Sequence, residues 1–209
     1  MVKGILKTSP ISKIFISKYS LIASFLTLFF FSVFLKAESY AVATRHHLAT
    51  DIGMKVLEEG GNAFDSAVAV AFALAVVNPS AGNLGGGGFM LFHLAESNET
   101  FSVDYRERAP IKSFEKMFQD NSGKVIKGLS LNSTLASGVP GTVSGMFYAA
   151  ERYGTINIEN LMKPAIELAK KGFALSDFQA KNLNKYKEKF SRNKEAREIF
   201  TKPNGFFKG

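Results

Sequence analysis

The sequence predicts an α/β fold built around one core, and three observations support this. Residues 89–94 and 100–105 form two strand-like runs joined by a polar turn, which is typical of a β-hairpin. Several segments with apolar residues at helical spacing end at a glycine. The composition, 46% hydrophobic and 12% aromatic over 209 residues, is that of a folded domain and not of a disordered chain.

The first part of the chain beyond residue 37 predicts one strand and two helices. Residues 39–44 alternate between side-chain types and should form a strand. A helix follows over residues 50–59, and the two glycines after it act as a stop signal. Asn62 then caps a helix over Ala63–Val77, which is almost wholly Ala and Val. Because a helix that is apolar all round is buried on several sides, we expect it in the core against a sheet.

The remaining elements are a hairpin and a series of helices. Phe89–Leu94 is apolar on both faces, which predicts a strand buried on both sides, with residues 100–105 as its partner. His93 lies within the first strand, where we expect a structural, hydrogen-bonded histidine. Helices are predicted over residues 143–153, Ile158–Lys171 and 177–191, with a short one over Lys194–Phe200. No linker divides residues 38–209, which we expect to be one domain.

The net charge of +8 is concentrated at the N-terminus. Five of the 26 basic residues lie in the first 37 residues, which contain no acid, and the remainder holds 21 basic against 18 acidic residues. No basic stripe with interleaved aromatic residues is visible, so the sequence predicts no nucleic-acid partner.

Residues 1–37 match a secretory signal peptide. Lysines are scattered through the first 20 residues, and residues 21–35 form an unbroken run of apolar or small residues, as in the central region of such a signal. The run is shorter than the roughly 20 apolar residues that a membrane span needs. We expect cleavage after Ala37 and a periplasmic or secreted protein. The alternative is an uncleaved anchor, and membrane contact is expected through this segment alone.

Several kinds of chemistry find no support in the sequence. There is no cysteine, hence no thiol nucleophile and no disulfide. Adjacent residues of a regular element point in different directions, so we expect His46 and His47 to face solvent or cap a helix instead of binding a metal. The glycines at 85–88 precede a strand and lack a following Lys-Ser or Lys-Thr, unlike a phosphate-binding loop. We therefore expect no metal and no cofactor.

The stretch from Asn78 to Pro110 holds the residues that we connect with function. Four consecutive glycines are tolerated where the backbone approaches another group closely or needs positive φ, and we interpret them as a packing device between core layers. Arg106 follows the second strand. A guanidinium at this place suits bidentate recognition of a carboxylate. The alternative is a surface salt bridge to Asp104, Glu107 or Glu115.

Four motifs in the chain resemble the large subunit of the γ-glutamyltransferases, also called γ-glutamyl transpeptidases. They read GGNAFDSAVA, GNLGGGGFM, DYRERAP and SGVPGTVSG, and the collinear resemblance covers residues 40 to about 205. Ser66 and Arg108 occupy positions in these motifs that vary without obvious consequence. The resemblance implies an N-terminal-nucleophile hydrolase fold, a four-layer αββα sandwich, of which this chain supplies only the N-terminal portion.

The resemblance also implies an exported precursor that cleaves itself into a large and a small subunit. In this family a threonine at the new N-terminus attacks the γ-glutamyl amide of glutathione or a related donor, with its own α-amine as the base. The glutamyl group then passes to water, an amino acid or a peptide. Arg106 matches the large-subunit arginine that holds the α-carboxylate of the γ-glutamyl group.

The chain contains no Thr-Thr-His motif, which in this family carries the nucleophile. We therefore expect residues 1–209 to hold no catalytic residue, to be inactive alone, and to need the small subunit and the rest of the precursor as partners. Two alternatives are a non-catalytic remnant that keeps only the carboxylate-binding Arg106, and a fragment of an acylase-like relative. Half of a sandwich leaves apolar surface uncovered, so we expect the isolated chain to aggregate or fold poorly.

Overall fold

The computed structural model describes residues 40–81, 83–202 and 205–208. Contacts divide the chain into two units, and all elements named below belong to the second, Val42–Gly209. The predicted signal peptide, residues 1–37, lies outside the described residues. Within the described residues, no helix combines the length and apolar character needed to cross a membrane.

The described residues form a mixed helix and strand structure, which confirms the predicted class. Two helices precede an antiparallel hairpin of two strands, and further helices follow it. The bounds are α1 His47–Glu58, α2 Ala63–Val77, β1 Phe89–Leu94, β2 Glu99–Asp104, α3 Leu129–Asn132, a 3₁₀ turn Thr134–Ala136, α4 Thr142–Tyr153, α5 Ile158–Lys171, α6 Asp177–Lys185, α7 Lys187–Phe190 and α8 Lys194–Phe200. The described residues contain one sheet of two strands and therefore only part of the predicted four-layer sandwich.

Helix α2 lies at the centre of the core, as its composition predicts. It packs against α1, α4 and α5, with which it buries a cluster of mostly small side chains. Its contact with the hairpin includes the ring of Phe64, which lies edge-on against Phe92 of β1 at 4.8 Å between centroids. Among the described residues the Ala- and Val-rich helix is therefore surrounded mainly by other helices. It contacts the hairpin near its first turn, so the expected packing against a sheet is limited to that region.

The N-terminus of α2 is tied to the loop between α4 and α5 by a buried carboxylate. Asn62 caps α2 and, together with Asp65, forms a capping box in which each side chain accepts from the other's backbone N–H. Asp65 is fully buried and also accepts from the N–H of Thr155 and of Ile156. The Asn62 amide donates to the Tyr153 carbonyl at 2.7 Å. These bonds fix where α4 ends and α5 begins relative to the core.

The hairpin is covered on one face only, which shows that the prediction of a strand buried on both sides is wrong. Phe92 packs against Phe64 and Tyr153 on the covered face. On the opposite face Phe89 is 64% exposed and Leu91 is 76% exposed. The helices of the described residues lie against one side of this hairpin. The apolar side chains of Phe89 and Leu91, on the other side, therefore have no covering layer among these residues.

Three predicted boundaries also differ from the structure. Residues 40–44 form no strand; the Thr44 hydroxyl instead donates to the His46 carbonyl at 2.8 Å and accepts from the His46 N–H at 3.2 Å, a local turn that leads into α1. Helix α1 begins three residues earlier than predicted, because His46 caps it. The predicted helix over residues 177–191 is broken at Tyr186, where α6 has ended and α7 begins.

Candidate functional site

Residues 105–108 continue directly from β2 and carry the arginine singled out in the sequence. The Tyr105 N–H donates to the Gly88 carbonyl at 3.0 Å, and the Gly88 N–H donates to the Tyr105 carbonyl at 3.4 Å. The Arg106 N–H donates to Asp104 Oδ1 at 3.0 Å. The strand pairing thus extends by one residue pair, Gly88 and Tyr105, and Arg106 lies directly after this pair.

Gly87 lies against the backbone of Arg106 itself. A Cβ on Gly87 would lie 2.6 Å from the Tyr105 carbonyl oxygen and 2.7 Å from both Arg106 Cα and the Glu107 nitrogen. Because these are backbone atoms, no side-chain rotation could relieve the overlap. None of the glycines at 85–88 has positive φ, so close approach is what requires glycine here. At Gly87 that approach is to the backbone around the arginine, which corrects our interpretation of the run as a device between core layers.

The motif SGVPGTVSG encloses the same segment from another side. Arg108 and Val139 exchange two backbone hydrogen bonds, of 3.1 and 2.8 Å. A Cβ on Gly141 would overlap the Tyr105 carbonyl oxygen and lie 2.7 Å from its carbonyl carbon. The Gly86 carbonyl accepts from the Gly141 N–H at 2.9 Å, so the two glycine motifs are also bonded to each other. Residues 105–108 are held between them.

The ring of Tyr105 fills the space that two further glycines leave. A Cβ on Gly145, in α4, would overlap the ring at Cγ, and one on Gly88 would lie 3.1 Å from the ring edge. The hydroxyl donates to the Phe89 carbonyl at 3.5 Å. Burial raises the pKa of the Tyr105 phenol, which keeps it neutral. Tyr105 therefore acts as a packing residue that anchors the start of the segment.

The side chain of Arg106 is exposed and lies near an aromatic ring. Its Cζ is 5.8 Å from the centroid of the Phe89 ring, within the range of a cation–π contact. Among the described residues, no carboxylate lies within salt-bridge distance of the Arg106 guanidinium. The predicted alternative, an ion pair with Asp104, Glu107 or Glu115, is therefore not what these residues show.

An open cleft of about 550 Å³ borders the segment. It is lined by residues of β2, of the segment itself and of the start of α4, among them Arg106, Arg108, Ser144 and Tyr148. The cleft is large enough for a small-molecule ligand. Its lining brings DYRERAP and SGVPGTVSG, two motifs whose first residues are 33 positions apart, to one place.

The histidines lie away from this cleft and have structural partners. His93 Nδ1 lies 3.1 Å from the hydroxyl of Thr100, its cross-strand neighbour, which confirms the structural, hydrogen-bonded histidine expected there. His46 Nδ1 accepts from the Leu48 N–H at 3.3 Å and so caps α1, one of the two roles that the sequence predicts. In the part of the chain that the structure describes, no group of three His, Cys, Asp or Glu side chains could hold a metal ion.

Sequence reasoning missed two residues that build the site and its support. Tyr105 was expected only to end a strand, because the glycines at 88 and 145 that make room for its ring are far apart in the sequence. Asp65 was given no role, although its spacing of three residues from Asn62 is that of a capping box. Ser66, considered inconsequential, is buried and donates to the Gly53 carbonyl at 3.0 Å.

Several known proteins resemble this chain in sequence. The sequence pattern of the family described as Gamma-glutamyltranspeptidase matches residues 49–208. The chain is 55% identical over 139 residues to a glutathione hydrolase proenzyme of Pseudomonas sp. (strain A14), which covers 66% of this chain and 24% of that protein. It is 45% identical over 169 residues to the glutathione hydrolase proenzyme of Escherichia coli (strain K12), covering 80% of this chain and 29% of that protein.

The fold is similar to that of a solved relative. The crystal structure of Helicobacter pylori gamma-glutamyltranspeptidase matches with a TM-score of 0.79 and 45% identity, covering 83% of this chain and 50% of that chain. The matched part of the chain thus spans 24% and 29% of the length of these two curated relatives. The family pattern, both relatives and the shared fold agree: the chain belongs to the gamma-glutamyltranspeptidase family.

Proposed function

We propose that residues 38–209 form the N-terminal portion of the large subunit of an exported γ-glutamyltransferase. The enzyme cleaves the γ-glutamyl amide of glutathione and related donors, and it transfers the glutamyl group to water, an amino acid or a peptide. Arg106 binds the α-carboxylate of the donor. The names of the curated relatives, glutathione hydrolase proenzymes, support this substrate class.

The position of Arg106 is the observation that carries the proposal. Two glycine motifs enclose its backbone, and the guanidinium is exposed beside a cleft. A guanidinium offers five donors in a planar fork that matches a carboxylate with two parallel hydrogen bonds. A γ-glutamyl donor carries such a carboxylate on its α-carbon, whereas many other acyl donors do not. Arg106 therefore favours a γ-glutamyl donor over the donors of an acylase-like relative.

The residues of this chain indicate that it binds the donor and that another part of the precursor supplies the nucleophile. It contains no Thr-Thr-His motif, so the threonine nucleophile belongs to another part of the precursor. There the threonine hydroxyl attacks the amide carbonyl, and its α-amine takes up the hydroxyl proton and passes it to the departing amine of the donor. Water or the acceptor amine then cleaves the glutamyl ester left on the threonine. The contribution of residues 38–209 is to hold the donor. They are inactive on their own and depend on the rest of the precursor, including the small subunit.

Export of the protein rests on its N-terminal sequence. The lysine-dotted residues 1–20 and the apolar run at 21–35 have the order and length of a secretory signal. Cleavage after Ala37 places the enzyme in the periplasm or outside the cell. Detection of a mature N-terminus at residue 38 by N-terminal sequencing would support cleavage, whereas an N-terminus at residue 1 would show that the segment is retained.

Activity measurements on two forms of the protein test the proposal. The complete proenzyme and residues 1–209 alone are each incubated with γ-glutamyl-p-nitroanilide, and p-nitroaniline release is followed. We expect release by the self-processed complete enzyme and none above the blank by residues 1–209. Turnover by residues 1–209 would contradict the proposal that the nucleophile belongs to another part of the precursor. A processed complete enzyme that releases no p-nitroaniline and cleaves no glutathione would contradict the function.

A further inference from the structure

We propose that Gly87, Gly141 and Phe89 are positioning residues that set donor selectivity through Arg106. The two glycines fix the backbone that carries Arg106, and the Phe89 ring orients its guanidinium. The inference rests on the proposed role of Arg106 as the binder of the α-carboxylate. It adds that this role depends on packing from outside the DYRERAP motif.

The two glycines act on consecutive backbone groups from different parts of the chain. Gly87 approaches Arg106 Cα and the groups on either side of it, with 2.6–2.7 Å from its missing Cβ to those atoms. Gly141 approaches the carbonyl of Tyr105, the peptide group that leads into Arg106. Real Cβ atoms do not approach backbone this closely, so alanine at either position requires the Arg106 backbone to move. The displacement passes directly to the root of the arginine side chain.

Phe89 acts on the other end of the same side chain. Its ring centroid lies 5.8 Å from Arg106 Cζ. The negative face of an aromatic ring attracts a guanidinium and restricts its orientation. Register supports the contact, because Phe89 lies opposite Asp104, two residues before the arginine. Gly87 thus lies against the backbone of Arg106, and Phe89, which directly follows the glycine run, lies beside its guanidinium.

Such control matters because bidentate recognition is directional. A fork of two parallel hydrogen bonds needs both donors in line with both carboxylate oxygens, and it weakens when the guanidinium tilts or shifts. A misplaced Arg106 should therefore discriminate less well between donors with and without an α-carboxylate. General damage to the fold would instead slow both kinds of donor by the same factor.

The test compares two donors in the complete, self-processed enzyme. One is γ-glutamyl-p-nitroanilide, and the other is 4-aminobutyryl-p-nitroanilide, the same donor without its α-carboxylate. The measured quantity is the ratio of the two kcat/KM values. Gly87→Ala and Phe89→Leu are the variants. Gly85→Ala is the matched glycine control, since its Cβ would meet only the Asn83 side chain at 3.3 Å. Leu91→Ala is the control on the exposed face of β1.

The expected results differ in size between the variants. Gly87→Ala should lower the preference for the carboxylate-bearing donor at least tenfold. Phe89→Leu should lower it about two- to fivefold, in line with an exposed cation–π contact. Gly85→Ala and Leu91→Ala should leave it unchanged. If Gly87→Ala does not accumulate as folded enzyme, Phe89→Leu decides, because leucine keeps an apolar side chain at this position and removes only the aromatic ring.

Two outcomes would overturn the inference. One is an unchanged ratio in folded Phe89→Leu, and the other is an equal loss of kcat/KM for both donors in Gly87→Ala. Arg106→Gln, measured alongside, separates this inference from the proposed function. If Arg106→Gln leaves the ratio unchanged, the role of Arg106 itself is wrong. If Arg106→Gln abolishes the preference but the positioning variants do not, only the positioning is wrong.

Discussion

Asp65 binds Thr155 through three hydrogen bonds across a sequence separation of 90 residues. The Thr155 N–H lies 3.0 Å from Oδ1 and 3.2 Å from Oδ2 of Asp65, and the Thr155 hydroxyl donates to Oδ2 at 2.7 Å. The carboxylate is fully buried, so these donors replace the water that it loses on folding. The motif GGNAFDSAVA thus supplies an internal cap that joins α2 to the loop between α4 and α5.

Removal of this carboxylate should be strongly destabilising. In Asp65→Ala the N–H groups of Asn62, Thr155 and Ile156 lose a buried acceptor, and a donor that water then fails to reach costs about 1–3 kcal/mol. We expect the free energy of unfolding of the complete enzyme, measured with urea, to fall by at least about 3 kcal/mol. Asp51→Ala, on the exposed side of α1, is the control and should change it by less than about 0.5 kcal/mol. Equal effects would contradict the structural role of Asp65.

The contact between α1 and α2 predicts that substitution by alanine destabilises the protein more at one of two facing residues than at the other. A Cβ on Gly53 would lie 2.6 Å from Val70 Cγ2 and 2.9 Å from Ser66 Oγ. Gly53→Ala should therefore cost about 1–3 kcal/mol through overpacking, even though alanine is the better helix former. Ser66→Ala removes one bond to a carbonyl that α1 already satisfies, so it should cost less than about 1 kcal/mol. Thermal unfolding of both variants checks this order, and a larger loss in Ser66→Ala would refute it.

The helix cap of α1 predicts a pH dependence of stability. Burial lowers the pKa of His46 below its ordinary value of 6.5, the charge of His47 lowers it further, and a hydrogen bond with Gln179 opposes both. A lowered pKa in the folded state means that the unfolded chain binds the proton more readily. The contribution is thus fully present above pH 6.5 and is lost as the pH falls through the lowered pKa.

Replacing His46 with asparagine isolates this effect. Asparagine is a good N-cap residue and does not titrate, so His46→Asn should keep α1 capped at every pH. We expect the decline in stability just below pH 6.5 to be weaker in His46→Asn than in the parent. The measurement is urea denaturation of both proteins at a series of pH values between 5 and 8. Parallel pH profiles would show that His46 does not contribute.

The uncovered face of β1 predicts association of the isolated chain. Phe89 and Leu91 are 64% and 76% exposed on a strand whose outward face has no covering layer in the described residues. Exposed apolar side chains on a strand favour self-association. Residues 38–209 alone should therefore run larger than a monomer in size-exclusion chromatography, and Leu91→Lys should shift them towards the monomer. A monomeric, well-folded parent chain would contradict this expectation.

Sequence periodicity and caps predicted most elements, because those signals are local. Ala63–Val77 and Ile158–Lys171 have the predicted bounds, since Asn62 and Asn157 cap them and nothing nearby competes. The predicted strand is wrong for residues 40–44. Strand formation depends on a partner that is distant in the sequence, whereas the Thr44 hydroxyl forms hydrogen bonds with the nearby backbone of His46. The exposure of β1 was likewise set by packing and not by its apolar composition.

The candidate site was only partly visible in the sequence. Arg106 stood out because a guanidinium follows a strand beside a glycine-rich run. The contact between Gly87 and the Arg106 backbone could not be read from the sequence, since 19 positions separate them and the hairpin register brings them together. Gly141 is more distant still. The spacing of glycines around Tyr105 becomes meaningful only when the two motifs share one place in space.

The most direct test of the central claim is the donor KM of an Arg106→Lys variant of the complete enzyme. Lysine keeps the charge but cannot form the two-pronged contact, so we expect KM for γ-glutamyl-p-nitroanilide to rise about tenfold with kcat little changed. Arg192→Lys, an exposed arginine outside the cleft, is the control and should leave KM unchanged. An Arg106→Lys enzyme with the KM of the parent would contradict the assignment of Arg106 as the carboxylate-binding residue.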